Sequence, residues 1–264
     1  MTTRPVDTTT RIRTTRDSLT MLRRSLRHTL RSPDSMIVAV ALPFLLMLLF
    51  VYVFGGAIDT GTEYLDYVVP GILVLCSAWG ASTTAVSVCS DMVEGIVTRF
   101  RTLAIAQSAV LTGHVLASLV RNLATTALVT VLAVVMGFRP SASVLGWLAA
   151  IAVIAGFVTA LSFLCAGLGM LAKTPEAASG FTFGFLFLPY VSSAFVPTET
   201  MPTWMHGFAE YQPMTPIIET LRALLSDAPV GSAGWTAAAW IVGIGCVGFG
   251  FATSAYRRRA DSRA

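Results

Sequence analysis

The stretch VLGWLAAIAVIAGFVTALSFLCAGLGMLA, residues 144–172, holds no charged residue and lies between Arg139 and Lys173. About 20 apolar residues carry a helix across a bilayer, so this run is long enough to cross with tilt or to continue beyond the hydrocarbon. Five further stretches qualify as spans. Met36–Gly56 is uncharged and contains Pro43. Tyr67–Ser90 is uncharged and interrupted by Pro70 and Gly71. Asn122–Phe138 is short and borrows Val115–Val120 across Arg121, giving a span over 115–138. Ala177–Val196 contains Pro189, and Gly231–Tyr256 is glycine-rich, which permits close helix packing.

Composition agrees with this reading. Hydrophobic residues make up 55% of the 264, charged residues 12%, and the mean hydropathy is +0.72. A soluble domain carries roughly 25% charged residues, and one this poor in charge would expose large apolar patches. Soluble enzyme, nucleic-acid-binding domain and disordered chain are therefore excluded, and no nucleic acid partner is expected. The fold class is all-α integral membrane with six transmembrane helices.

The few charges orient those helices. Eight arginines precede the first apolar run, from Arg4 to Arg31, and Arg257, Arg258, Arg259 and Arg263 follow the last. Basic residues collect on the cytoplasmic side, so both termini are expected there and the number of spans is even. The inner segments then hold fifteen basic residues against two outside, Arg139 and Arg222, with Arg121 near the inner interface. Residues 1–14 read as a disordered cytoplasmic leader, 15–258 as a single transmembrane domain and 259–264 as a cytoplasmic tail. No cleavable signal peptide is expected, because the first apolar run is too long for one.

Three segments outside the spans carry a pattern. Leu19, Leu22, Leu26 and Leu30 follow helical spacing with arginines beside them, the pattern of an interfacial amphipathic helix. In segment 91–113, Asp91 and Glu94 lead and Arg99 and Arg101 follow, with Ile96, Phe100 and Leu103 as an apolar stripe. That pattern fits a helix pushed by a soluble partner and fits a plain interfacial connector equally. Segment 197–230 is too polar to cross, yet holds Met201, Trp204, Met205, Phe208 and Tyr211 among Pro197, Pro202, Pro213 and Pro216. It reads as two short helices dipping into the outer leaflet. Thr215 then Pro216 is expected to open the second as N-cap and first position.

The chemistry is defined by what is missing. The spans hold no Asp, Glu, Lys or His, so the groups that ion-driven transport needs at mid-membrane are absent. His28, His114 and His206 fall in different segments, so no metal site is implied. The cysteines Cys76, Cys89, Cys165 and Cys246 read as small buried hydrophobes. No GxxxxGK phosphate loop followed by Ser or Thr occurs, so the chain cannot hydrolyse ATP itself. A path that is apolar to aromatic suits amphiphilic, bulky or lipid-like cargo, driven by another subunit. Candidate lining residues on the second and fifth spans are Trp79, Ser82, Phe181, Phe185 and Tyr190, although aromatic residues in spans also serve packing and lipid contact.

Two segments resemble the type-2 ABC exporter permeases of the daunorubicin/doxorubicin-resistance type. The first is Asp91…Glu94-Gly95…Arg99-Phe100-Arg101…Leu103, followed by Gly113-His114-Val115-Leu116-Ala117. The second is Ser192-Ser-Ala-Phe195-Val-Pro197…Met201-Pro202…Trp204, then Pro213-Met-Thr-Pro216 and Leu221-Arg222-Ala-Leu-Leu. The resemblance covers about residues 15 to 258. It implies an exporter of drugs, antibiotics or lipids in a bacterial plasma membrane, this chain being the permease and not the enzyme. Two permease copies, as a homodimer or a heterodimer with a related permease, would join two ATP-binding subunits that hold ATP and Mg, with no cofactor in this chain. The resemblance makes Leu19–Leu30 an interfacial elbow helix. It makes Asp91, Glu94, Gly95, Arg99, Phe100 and Arg101 part of a coupling helix that docks on the ATPase. It makes 197–230, with Pro197, Pro202, Trp204, Pro213 and Pro216, an external re-entrant gate. Where the family often has Pro then Arg, this chain has Ala104 and Gln107. Two other classes stay open on the residues alone: a non-transporting structural or assembly membrane protein, and a membrane-embedded enzyme.

Overall fold

Apolar runs that meet no water must bond their own backbone groups, and a helix does so within one segment. The computed structural model describes residues 33–58, 60–94 and 107–261, without the side chains of 33–38, 107–110 and 257–261. The leader, the Leu19–Leu30 elbow, and Gly95, Arg99, Phe100 and Arg101 lie outside the described residues. Within them the chain is helical, with no strand. Helix α1 is Pro33–Leu48 and runs into a π-helical turn, Leu49–Phe54. Then come α2 (Tyr64–Val93), α3 (Gln107–Met136), α4 (Val144–Leu171) and α5 (Pro175–Phe187). After two 3-10 turns, Leu188–Val191 and Thr198–Thr200, follow α6 (Thr203–Tyr211), α7 (Met214–Leu225) and α8 (Gly231–Asp261).

Among the described residues, four helices are long and apolar enough to cross a membrane: α2, α3 from Leu111, α4, and α8 to Tyr256. The first and fifth expected spans take another form. The 36–56 run combines α1 with the π turn, leaving Ala39–Phe54 as its apolar part. The 177–196 run is not one helix, because α5 ends at Phe187 and the chain tightens into a 3-10 turn. Pro189 has no N–H to continue the α-helical ladder, although Leu188 before it keeps helical backbone. Pro70, by contrast, is accommodated inside a continuous α2. The expected 91–113 connector is also shorter, since α2 persists to Val93 and α3 is helical from Gln107.

Helix α2 is the axis of the bundle. Of its membrane-depth window 72% is buried, against 17% for α8. It packs against α1, α3, α4, α5 and α7. Its buried Val68, Val69, Ile72, Ala78, Ala81 and Ala85 meet Phe157, Val158, Leu161 and Cys165 of α4 in one core with Met214, Ile217, Ile218 and Leu221 of α7. In lipid there is no hydrophobic drive between helices, so close backbone approach and interhelical bonds must hold them. A Cβ added to Gly169 of α4 would run into the Ala85 carbonyl oxygen of α2. One on Gly248 of α8 would lie 2.7 Å from the Leu164 nitrogen of α4.

The helix starts are fixed by local chemistry. Ser143 Oγ caps α4 by accepting the Gly146 N–H at 3.2 Å. Thr174 caps α5, with Pro175 in its first turn, and its hydroxyl accepts the Ala177 N–H at 3.3 Å. The Glu176 carboxyl is held below its usual range by its own backbone N–H and by the Thr174 hydroxyl. Three of the cysteines are buried as expected, but Cys246 is exposed on α8, at a groove shared with Thr159 and Phe163 of α4.

The glycine contacts carry a direct test. Gly248→Val forces a side chain into the α4 backbone and is expected to cost about 1–3 kcal/mol in detergent unfolding. Gly243→Val, on the same helix with nothing within 4 Å, is expected to stay within about 0.5 kcal/mol of the native chain.

Candidate functional site

The segment between α5 and α8 leaves the helical pattern beside the bundle, so every freed backbone group there needs a partner. Side chains supply them. Gln212 Nε2 donates to the carbonyls of Leu188 (3.0 Å) and Val191 (3.2 Å). Ser192 Oγ donates to the Pro189 carbonyl and accepts the Ala194 N–H. Thr215 Oγ1 donates to the Ala209 carbonyl and accepts the Ser193 N–H. Tyr64 of α2 donates its hydroxyl to the Phe195 carbonyl at 2.9 Å.

Arg222 of α7 closes this cap onto α2. Its guanidinium donates to the Ser193 carbonyl at 2.7 Å and to the Tyr67 carbonyl at 3.1 Å from the same terminal nitrogen, and its carbon sits 3.8 Å from the Tyr67 ring centre. One side chain thus joins α7, the turn after α5 and the start of α2. Burial moves the guanidinium below its ordinary value, opposed by Tyr67 and Glu219, and the group stays protonated. Gly71 allows the approach, because a Cβ there would meet Ala194 at 2.7 Å. An aromatic stack continues the seam. The Phe195 ring lies 4.0 Å from Phe50 of the π turn and 5.3 Å from Tyr190.

The expected gate residues fall in this cap with distinct roles. Pro197 and Pro202 precede the 3-10 turn at Thr198 and helix α6. Trp204 is 80% exposed on α6, where Phe208 and Tyr211 also face outward. Trp240 of α8 donates its ring N–H to the Tyr211 carbonyl. The expected N-cap at Thr215 is displaced. Pro213 already has helical backbone, α7 opens at Met214, and Pro216 is buried in its first turn. Thr215 is unavailable as a cap because its hydroxyl bridges Ala209 and Ser193.

At the other end of α2, Asp91 Oδ2 lies 3.2 Å from His114 Nε2 of α3. The pair ties together the two helices that flank residues 95–106. Glu94 closes α2, its N–H bonded to the Ser90 carbonyl, and its side chain is exposed.

The expected path residues do not converge within one chain. Ser82 is buried and donates to the Ala78 carbonyl, and Trp79 is half-buried on α2. On α5, Phe181 is exposed, Phe185 packs against the core, and Tyr190 follows in the 3-10 turn. No group of three His, Cys, Asp or Glu residues gathers as a metal site among the described residues.

Two polar features escape a reading by composition. Ser118 Oγ of α3 accepts from Thr84 of α2 (2.8 Å) and Asn122 (3.2 Å), which fills its lone pairs, so its proton goes to Ser162 of α4 at 2.9 Å. Three helices are pinned at one hydroxyl. The spacing of Ser118 and Asn122 was the available signal, two polar side chains one turn apart inside a span. Arg121, beside Asn122, turns to α2 and donates to Thr83 Oγ1 at 2.7 Å.

Arg222→Met keeps the volume but removes the bonds to the Tyr67 and Ser193 carbonyls. It is expected to lower unfolding stability in detergent by about 2–4 kcal/mol, and to open the 188–202 segment to protease first.

The ABC-2 type transporter family matches residues 17–226 of this chain. The chain is 34% identical over 229 residues to the daunorubicin resistance ABC transporter permease protein DrrB1 of Streptomyces coeruleorubidus, covering 86% of this chain and 78% of that one. It is 25% identical over 232 residues to the probable doxorubicin resistance ABC transporter permease protein DrrC of Mycobacterium tuberculosis, covering 87% and 84%. Those matches, on a chain with four described helices long and apolar enough to cross a membrane, lead to one conclusion: the chain belongs to the ABC-2 type transporter family, as a transmembrane permease subunit of an ABC exporter.

Proposed function

We propose that this permease moves hydrophobic or amphiphilic molecules outward, in the class of drug, antibiotic or lipid, across a bacterial plasma membrane. It works with an ATP-binding subunit that holds ATP and Mg and with a second permease copy, identical or related. The named relatives support the drug class, since both carry daunorubicin or doxorubicin resistance in their names. In this reading the chain crosses six times with both termini inside. The π-turned α1 and the interrupted α5 serve as the first and fifth crossings.

The observation that carries the proposal is the dual anchoring of α2. Its 30 residues extend about 45 Å at 1.5 Å each. The outer end is bonded to the cap through Arg222 and Tyr64, and the inner end to α3 through Asp91 and His114. Residues Asp91–Leu103 act as the coupling helix, with Glu94, Gly95, Arg99, Phe100 and Arg101 meeting the ATPase and Asp91 holding the base. ATP-driven closure of the partner pair pushes this segment, α2 moves as a rod, and the cap carrying Pro197, Pro202, Trp204, Pro213 and Pro216 releases cargo. Trp79, Ser82, Phe181, Phe185 and Tyr190 belong to the second and fifth crossings that border the path between copies. The outward aromatic face of α5 supports that placement, because few of its side chains pack into its own bundle.

The test uses the permease assembled with its ATP-binding partner in proteoliposomes. Glu94→Ala with Arg99→Ala is expected to reduce cargo-stimulated ATP hydrolysis about fivefold or more, the low end of ordinary coupling energies. Unchanged complex formation and unchanged stimulation would refute the coupling assignment.

A further inference from the structure

Most of α2 is buried, but on its inner half a stripe is covered only in part, with Ser87 exposed, Gly80 against Asn122 of α3 and Val86 against the core. Trp79, Gly80, Thr83, Val86, Ser87 and Ser90 recur at three- and four-residue spacing and are only partly buried or exposed. This stripe differs from the other exposed faces of the bundle. Helix α3 exposes Leu128, Val131 and Val135, and α8 exposes Trp235, Val242 and Val247. The α2 stripe instead presents three hydroxyls, and Arg121 of α3 reaches onto it.

Arg121 is incompletely matched. Its contacts are Thr83 Oγ1 at 2.7 Å and the Gly80 carbonyl at 3.5 Å, both from one terminal nitrogen. The Thr83 proton is already given to that same Gly80 carbonyl at 2.7 Å. No carboxylate of the described residues lies within ion-pair distance of Arg121. A guanidinium has five N–H donors in a rigid fork, so most of this one meets no acceptor among the described residues. Charged side chains at membrane depth face a bundle interior or a wet cavity and mark pathways, and they rarely face lipid.

We propose that Arg121, held by Thr83, is the specificity-determining contact for cargo, selecting amphiphiles that carry a carboxylate or phosphate over cationic ones. The inference rests on the exporter reading above. The hydroxyls of Thr83, Ser87 and Ser90 and the ring of Trp79 give such a molecule a surface for both its polar and its apolar parts. A bidentate acid group completes the fork, and a cation meets repulsion at the same place.

The experiment reconstitutes the full permease with its ATP-binding partner in phosphatidylcholine vesicles. ATP hydrolysis is titrated with pyrene-dodecanoic acid and with pyrene-dodecyl-trimethylammonium, which differ in their headgroups. The acid is expected to half-stimulate at a concentration about tenfold below the cation, the size of one charge-assisted hydrogen bond. Arg121→Gln is expected to erase the difference and Arg121→Lys to keep most of it. Thr83→Val, which frees Arg121 without removing its charge, is expected to weaken the acid several-fold, and it serves should Arg121→Gln fail to assemble. Equal stimulation by both probes in the native complex, or a preference that survives Arg121→Gln, overturns the assignment while leaving the exporter reading in place. An Arg121-dependent effect reproduced by phosphatidylglycerol in the vesicles, without the acid probe, assigns the site to lipid and overturns it also. Stimulation by neither probe overturns this assignment and leaves the exporter reading in place.

Discussion

A guanidinium on two carbonyls holds the capped half of this molecule together. Once the chain abandons the helix at Phe187, its backbone groups cannot turn to water without leaving the bundle, and an unmatched one costs several kcal/mol in hydrocarbon. Arg222 meets that constraint at Tyr67 and Ser193, and Gln212, Ser192, Thr215 and Tyr64 meet the remainder. The cap is therefore not a loop draped over the spans. It is bonded into the start of α2, and it cannot shift without exchanging those bonds.

The same helix is held differently along its length. At its outer end the bonds are charged and directional. In the middle, packing is by small residues, with Ala85 against Gly169 and with the Ser118 hydroxyl joining α2, α3 and α4. Interhelical bonds of that kind average about 0.6 kcal/mol each in membranes, enough to fix register without locking the helices. At the inner end, Asp91 and His114 pair beside the segment that the exporter reading gives to the ATPase. A rod that is firm at both ends and loosely geared in between suits the transmission of movement.

How much of this was legible in the sequence depends on which property decided each element. Helices α4 and α8 follow from uncharged length alone, and their starts at Val144 and Gly231 agree with the expected ones. The break after Phe187 did not follow from hydropathy, because the run to Val196 is apolar whether or not it is helical. Pro189 was the signal, but Pro70 is of the same type and leaves α2 intact. What separates them is tertiary: Gly71 and Arg222 fit the cap against α2 around Pro70. Thr215 was misassigned as a cap because local spacing is blind to Ser193, a partner 22 positions away. The cap itself, as two short helices outside the spans, was visible from its prolines and aromatics. Arg222, its central contact, entered as a charge in the outside count and as part of the Leu221–Leu225 resemblance, with no role assigned.

The central claim is that the cap and the cytoplasmic end of the permease are coupled through α2 and that Arg222 is the link. Amide hydrogen exchange across residues 188–202, measured with the ATP-binding partner present and compared with and without ATP, tests this most directly. The account expects ATP to change exchange in that segment in the native complex, and expects Arg222→Met to remove the nucleotide dependence while leaving the segment uniformly fast. Exchange in 188–202 that is indifferent to ATP in the native complex, or an ATP response that persists in Arg222→Met, would contradict it.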